Sequence, residues 1–483
     1  MRWDDDDPGL PIKFGPCAND EYVPVPLSPV VRETIRRARE QCDDNARRTG
    51  VSRRRFLLSA CAAATTLLAL DACTSEAAKH HGKPKPGGAY TIPPEATTEP
   101  TVAHDALGGT EFIFDVQNHL LDYSIDPRSR DEAFFGADFP QARCGEADPH
   151  DCFSVSHFLE EIFLKSDTSM AIVSSLPIRP EHSPETIQIR DKARRVAHAL
   201  CHDDRLLIQG EAHPTLYPLA DALGAMEQMA NTYPVSAWKV YTHQPGPPWW
   251  LDDHDASLAT VGEAFIRKAV ELGIPRICVH KGLVGGRYAS PVDIGPAART
   301  HPDVAFVVYH SGYDIGGFEG PYTPSTANIG VNRLITSMQR AGIGPNQNVY
   351  AELGTTWYRL LQQPDAAAHV LGKVLRYVGE DNVLWGTDSI WYGSPQDQIQ
   401  ALRTFEISPE LQARYGYPPL TTALKAKIFG QNAARLHGVE PITTACTFTR
   451  EQLAQVRLTS ATSHRTYGPS TPTQARSGKV AHR

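Results

Sequence analysis

The sequence predicts a (β/α)8 barrel over residues 111–438, and three observations carry that prediction. Eight short apolar runs, rich in β-branched and aromatic residues, alternate with longer segments of helical spacing. The runs are continuous rather than alternating, as expected for strands buried on both faces of a parallel sheet. Histidines and carboxylates recur where the runs end, and in a barrel those ends form one mouth. An open, doubly wound sheet would place a glycine-rich phosphate turn after its first strand, and the sequence has none there.

In order, the strands are "FIFDVQNH", "MAIVSS", "RLLIQGEA", "SAWKVYTH", "RICVHKG", "VAFVVYHSG", "NVYAELG" and "NVLWGTDS". Between them, "TIQIRDKARRVAHALCH", "LATVGEAFIRKAVELG" and "PDAAAHVLGKVLRYVG" carry the three-and-four spacing of helices. In the first run side chains alternate, so Asp115, Gln117 and His119 share a face. Three polar groups closing a buried strand are costly unless something there uses them. The third run ends in Glu211 and His213, the fourth carries Lys239 and reaches His243, and the fifth ends in His280 and Lys281. His310, Glu352 and Asp388 close the last three. Imidazoles and carboxylates converging from several strands make a metal site or an acid–base site.

Taken singly, these residues differ in weight. Glu211, His213, His243 and Glu352 are expected to be structural, and Asp388 can also cap a helix. Lys239 is balanced between an ion pair at the core edge and a contact to a substrate carboxylate. The loop "HQPGPPWWLDDHD" offers Trp249 and Trp250 as pocket walls or as rigid packing, and Trp391 and Tyr392 follow Asp388 near the mouth. Arg287 and Tyr288 are placed to meet an anionic group or solvent.

Outside the barrel, residues 1–73 begin as a polar, charge-rich stretch and then read "VSRRRFLLSACAAATTLLALDACTS". Ser52 to Leu57 resembles the twin-arginine export signal, and Leu70-Asp71-Ala72-Cys73 resembles a lipoprotein processing site. The apolar run, Leu57 to Leu70, is shorter than the roughly 20 residues that span a bilayer. An export segment is therefore expected, with the twin-arginine machinery as partner, a place in the periplasm or cell envelope, and membrane contact only through a lipid on Cys73. Residues 74–110 have the Pro, Gly, Thr and Ala content of a linker, and residues 439–483 read as a disordered tail. None of the nine cysteines has a CxxC spacing, while Cys144 and Cys152 are close enough to pair in an oxidising compartment. A net charge of −8 argues against nucleic acid and leaves a small molecule as the expected partner, in a monomer or an oligomer.

The segments "FDVQNH", "ICVHKG", "VVYHSG" and "LWGTDS", with the closing "LKAKIFGQNAARLHG", resemble the amidohydrolase superfamily over residues 112–438. The likeness is to its amidohydrolase-related branch, which includes aminocarboxymuconate semialdehyde decarboxylase-like enzymes. The resemblance implies one divalent metal ion (zinc, manganese or iron) held by His119, His280 and Asp388. It also implies that His310 activates water or polarises substrate, and that Asp388 moves a proton. Members usually carry His-x-His on the first strand; here the first of those positions is Gln117. A carboxamide oxygen is a poorer zinc donor than imidazole and suits harder ions such as manganese or magnesium. Gln117 and Lys239 therefore stand as substrate or weak metal candidates. The expected function is a metal-dependent hydrolase, with a non-oxidative decarboxylase of a small carboxylic acid or a non-catalytic binding barrel as alternatives.

Overall fold

The computed structural model describes residues 7–15, 24–82, 85–123, 139–255, 260–284 and 286–460. Ten strands follow one another: β1 (Gly88–Tyr90), β2 (Phe114–Asn118), β3 (Met170–Val173), β4 (Leu206–Glu211), β5 (Val235–Tyr241), β6 (Arg276–His280), β7 (Ala305–Tyr309), β8 (Val349–Glu352), β9 (Val383–Leu384) and β10 (Phe405–Ile407). β2 to β9 form one parallel sheet in sequence order, and each falls on one of the eight predicted runs. The sheet closes on itself through the Asn118–Ser389 bridge and two backbone bonds, Val116 N to Trp385 O at 3.1 Å and Asp388 N to Gln117 O at 3.0 Å. The chain is thus a (β/α)8 barrel.

The strands are apolar because both faces are covered. Phe114, Val116, Ile172, Val279, Val307 and Val349 are at most 1% exposed. Helices such as Ile187–Cys201, Val261–Glu271 and Pro364–Tyr377 supply the outer cover, each through one apolar stripe. The closing helix, Asn432–His437, ends at Gly438, whose φ of 64° is the left-handed conformation that suits a C-cap glycine. Just before it, Gly430 lies against the carbonyl of Phe112 so closely that a Cβ could not be accommodated. That approach fixes the end of the chain's core against the entrance of β2.

The N-terminal part is built into the same body. α1 (Pro29–Thr49) starts at Ser28, whose hydroxyl accepts from Val31 N, and stops at Gly50. α2 (Arg53–Leu57) and α3 (Ala60–His80) follow, and α3 packs on α1. The expected export segment therefore lies within helices here. Ala62, Ala64, Leu67 and Leu70 are fully buried and share a core cluster with Trp357, Leu402 and Phe405 of the barrel. Burying Leu67 and Leu70 contributes about 1.5–3 kcal/mol each. Cys73 is 4% exposed, so a processing enzyme would have to reach it before α3 packs.

The stretch expected to be a linker is also ordered. α3 runs on to His80, β1 pairs antiparallel with β10, and Pro100–Leu107 is a helix burying Ala103 and Leu107. Its prolines misled the reading: Pro94 and Pro100 open helices, where a missing N–H is harmless. The expected disordered tail likewise begins as structure. Cys446 is joined to Cys201, Phe448 and Leu453 are buried, and Arg450–Ser460 is helical. The remainder of that tail lies outside the described residues. Cys144 and Cys152 are also joined, while Cys42, Cys61, Cys73 and Cys278 are free and buried.

Loss of the longer-range crosslink should be felt. Cys446→Ser is expected to lower unfolding free energy by about 2–4 kcal/mol. The check is a denaturant titration without reductant, in which an unchanged midpoint would mean that the crosslink adds nothing.

Candidate functional site

The site lies at the carboxyl ends of the strands, where β2, β6, β7, β8 and β9 each deliver one or two side chains. The three polar residues of the first strand divide. Asp115 accepts from Thr387 N at 3.0 Å, from the Thr387 hydroxyl, and from Gln117 N at 3.2 Å, and so ties β2 to the segment after β9. Burial pushes its carboxyl up to about 7. Gln117 and His119 turn instead toward Asp388.

His119 lies between two carboxylates. Its Nδ1 is 2.9 Å from Glu185 Oε2, and its Nε2 is 3.4 Å from Asp388 Oδ1. Glu185 is itself held by Leu120 N, at 2.8 Å. A ring with a carboxylate at each nitrogen carries both protons. Burial opposes that charge, but Glu185 and Asp388 outweigh it and raise the imidazole to about 9. The ring stacks on Trp391 with centroids 5.3 Å apart. Trp391 in turn packs on Phe139 and Phe153.

Asp388 is the hub. Its Oδ1 accepts from Gln117 Nε2 at 3.0 Å, and its Oδ2 accepts from the hydroxyl of Thr355, which also meets Tyr392 OH at 2.8 Å. Burial works against its charge, yet the bonds from His119 and Thr355 hold it well below the usual carboxylate range. The Gln117 amide is oriented by the same contact, since only its nitrogen can donate to a carboxylate. Its oxygen is buried and accepts no hydrogen bond.

The histidines of β6 and β7 face each other. His310 Nδ1 is 2.7 Å from the carbonyl oxygen of Gly354 and must donate to it, which leaves Nε2 with its lone pair. That Nε2 is 3.1 Å from His280 Nδ1 and 3.4 Å from Gln117 Nε2. Burial pushes His310 down to about 4, and burial together with His310 and His243 lowers His280 well below its ordinary value. His280 also stacks on Tyr241 at 4.9 Å. Both rings are therefore neutral bases at neutral pH.

Lys239 is brought near this group. Its ammonium lies 3.9 Å from the centre of the Tyr309 ring and 4.7 Å from that of Tyr241. Its charge contributes to lowering His280, His310 and His243. Glu352 fixes a turn: it accepts from His310 N at 2.9 Å and from Gly354 N, and burial pushes it up to about 8. Lys281 pairs with Asp293 at 2.8 Å, and Glu211 with Arg190 at 3.1 Å. Trp249 packs on Phe265 and Trp250 on Tyr288, so the proline-rich loop is firmly seated, and Arg287 lies over the Trp250 ring.

Two members of the cluster were not found from sequence. Glu185 precedes a helix in "HSPETIQIR" and reads as ordinary helix-start polarity. Thr355, in "ELGTTWY", carries no signal beyond the glycine before it. What marks the latter in the structure is its backbone. His310, Ser311, Thr355 and Asp388 have φ of 63°, 54°, 54° and 58°, the left-handed region that non-glycine residues avoid. Each such residue costs about 1–3 kcal/mol, and such residues concentrate at functional sites.

The donors were tested against a bound ion. A zinc site takes three or four protein ligands around one position. Among the described residues, no three histidine, cysteine, aspartate or glutamate side chains are so grouped. His280 Nδ1 faces His310, and Asp388 is already bonded by His119, Gln117 and Thr355. The expected set of His119, His280 and Asp388 does not, in this arrangement, make a three-ligand site.

The profile of the amidohydrolase family matches residues 185–439, just over half of the 483-residue chain. Its members are enzymes that typically bind a divalent metal. Among curated proteins, none matches the chain in sequence. Among solved structures, the chain is similar to 5-carboxyvanillate decarboxylase from Sphingomonas paucimobilis, at 12% identity over 68% of this chain and 99% of that one, with a TM-score of 0.40. It is also similar to a 2,6-dihydroxybenzoate decarboxylase in complex with 2,6-dihydroxybenzoate, at 14% identity, 68% and 99% coverage, and a TM-score of 0.40. A third is 4-oxalomesaconate hydratase from Rhodopseudomonas palustris, at 16% identity, 68% and 95% coverage, and a TM-score of 0.39. With its family profile matched over most of the barrel, the chain belongs to the amidohydrolase family.

Proposed function

We propose that this amidohydrolase-family barrel is a hydrolase of a small substrate that works through its own acid–base groups. The observation that carries the reading is the fixed tautomer of His310: with Nδ1 donating to Gly354, the Nε2 lone pair is committed to the cluster. There it takes a proton from water while the oxygen adds to the substrate carbonyl. The same proton returns to the leaving group when the tetrahedral intermediate collapses. His119, with a carboxylate at each nitrogen, keeps Asp388 ionised, and Gln117 orients it.

A second reading is favoured by Lys239. A buried ammonium beside two neutral histidines can hold a substrate carboxylate, and His119 can protonate the carbanion left when carbon dioxide departs. Turnover of a panel of small esters, lactones, amides and carboxylic acids in oxygen-18 water separates the two. Label in the acid product is expected; carbon dioxide release without label would replace hydrolysis by decarboxylation. Because no step here passes through a metal, activity is expected to survive dialysis against a strong chelator. Loss that only zinc, manganese or iron restores would return the ion to the mechanism.

We further propose an oxidising compartment, the periplasm or cell envelope. Two disulfides support it, since such bonds persist where thiols are not kept reduced. Ser52 to Leu57 points to the twin-arginine route.

A further inference from the structure

Residues 139–153 lie against Trp391, and the Cys144–Cys152 disulfide ties them into a loop. Phe139 and Phe153 pack on Trp391 with ring centroids 5.0 and 5.9 Å away, and on each other at 5.7 Å. Trp391 is the ring on which His119 stacks. Backbone bonds run the same way: Gln141 N donates to Trp391 O at 3.2 Å, and Leu121 N to Phe153 O at 2.8 Å. Across the loop, Gln141 Nε2 donates to the carbonyl of Cys152 at 2.8 Å. Contact is thus continuous from the disulfide, through two phenylalanines and a tryptophan, to an imidazole of the site. The two sulfurs differ in their surroundings. Cys152 is fully buried, whereas Cys144 is partly exposed, between the exposed Arg143 and Gly145. The Sγ of Cys144 is 3.8 Å from His157 Nε2, which is 2.9 Å from Glu146 Oε1. A carboxylate only accepts, so that nitrogen carries its proton and stands as a donor beside the sulfur. Such a donor stabilises a thiolate, and stabilising the reduced form makes a disulfide easier to open.

We propose that Cys144–Cys152 is a site of thiol–disulfide exchange that sets the packing over His119. One thiolate of a dithiol reductant attacks the reachable Cys144 Sγ; the S–S bond breaks, and Cys152 leaves as a thiolate that takes up a proton. The reductant's second thiolate then attacks its own bound sulfur and expels Cys144 as a thiolate beside His157 Nε2. Two electrons pass to the protein, and the reductant departs as a disulfide. Once open, the loop holds Phe139 and Phe153 by non-covalent contacts alone, and the stack of Trp391 on His119 loosens with them. In the oxidising compartment proposed above, the bond is closed at rest. The inference concerns the surroundings of His119 and holds for whichever reaction the site performs.

The experiment holds the native full chain at graded ratios of reduced to oxidised dithiothreitol, then alkylates free thiols and maps them by peptide mass spectrometry. Cys144–Cys152 is expected to open at a ratio about tenfold lower than Cys201–Cys446, and His157→Leu should remove that advantage. Opening should also speed tryptic cleavage after Arg143 and move the ring resonance of His119, assigned by its loss in His119→Gln. Turnover should fall by up to about 10²-fold, the scale of a 1 Å misplacement in an active site. C144S/C152S should match the reduced wild type, and C201S/C446S should keep the response. Alkylation, cleavage and resonance need no substrate, so they decide the matter even where the proposed hydrolysis fails. Equal reducibility of the two disulfides would overturn the proposal. So would opening of Cys144–Cys152 that leaves both the cleavage rate and the His119 resonance unchanged.

Discussion

His310→Asn is expected to lower kcat/KM by about 10²–10⁴-fold, the range for removing a general base, with thermal stability close to wild type. Asparagine is the informative replacement because it tolerates the left-handed backbone that residue 310 adopts, φ 63°. It keeps the size and polarity of the position but cannot accept a proton. The loss should fall on kcat more than on KM, since the imidazole acts on water rather than on bound substrate. His310→Gly goes further: it relieves the backbone strain and leaves room for a free base. Partial recovery with added imidazole, rising as imidazole titrates to its neutral form, would tie the loss to base chemistry. Full activity in His310→Asn would end the general-base reading, and recovery in neither variant would point to a purely structural ring.

The second large effect concerns stability. Lys373→Met is expected to cost about 3–5 kcal/mol, the range for breaking a buried ion pair by removing one partner. Lys373 and Glu319 are paired at 2.7 Å with side chains 0% and 2% exposed. Burial pushes the Glu319 carboxyl up and the Lys373 ammonium down, so the pairing recovers only part of the desolvation. The bond matters because of what Glu319 holds. Its Oε1 accepts from Val331 N at 3.0 Å, at the start of the Asn332–Ala341 helix, while Lys373 also reaches Asn332 at 2.7 Å. With the cation gone, the long connection after β7 would lose its anchor on the Pro364–Tyr377 helix. Glu319→Leu added to Lys373→Met should restore much of the loss, because two apolar groups leave no stranded charge. Chemical denaturation of the single and double variants reads both effects, and a double variant no better than the single would place the cost in packing instead.

The barrel was legible because its strands had to be apolar on both faces, so "RICVH" and "AFVVY" could not be mistaken for amphipathic elements. The strand-end histidines were legible for the complementary reason: polarity closing such a run is costly unless it is used. Other features were written in a form sequence cannot resolve. The run from Ala60 to Leu70 is helical and apolar in either reading, and only its neighbours reveal that the barrel flank covers it. Residues 74–110 carried too many prolines to look ordered, although two of those prolines begin helices. Glu185 reaches His119 across 66 positions, and Thr355 reaches Asp388 across 33. Neither contact has a local pattern, because each depends on loop paths that the strand period does not set. The metal expected from the strand-end residues needed three side chains to aim at one point, and aim is a rotamer property that spacing leaves open.

The Cys201–Cys446 crosslink changes how the molecule would bear a load. Its partners are 245 positions apart and enclose β4 to β10. Tension applied at the chain's end would enter the body at Cys201, on a helix beside β4, and bypass those strands. A chain stretched by its two ends under oxidising conditions would stop short by roughly 800 Å, at about 3.3–3.6 Å for each residue held inside the ring. Reduction would release that hidden length. β4 to β10, with His280, His310 and Asp388, are therefore mechanically insulated from whatever pulls on the tail, while Gln117, His119 and Glu185 lie outside the ring.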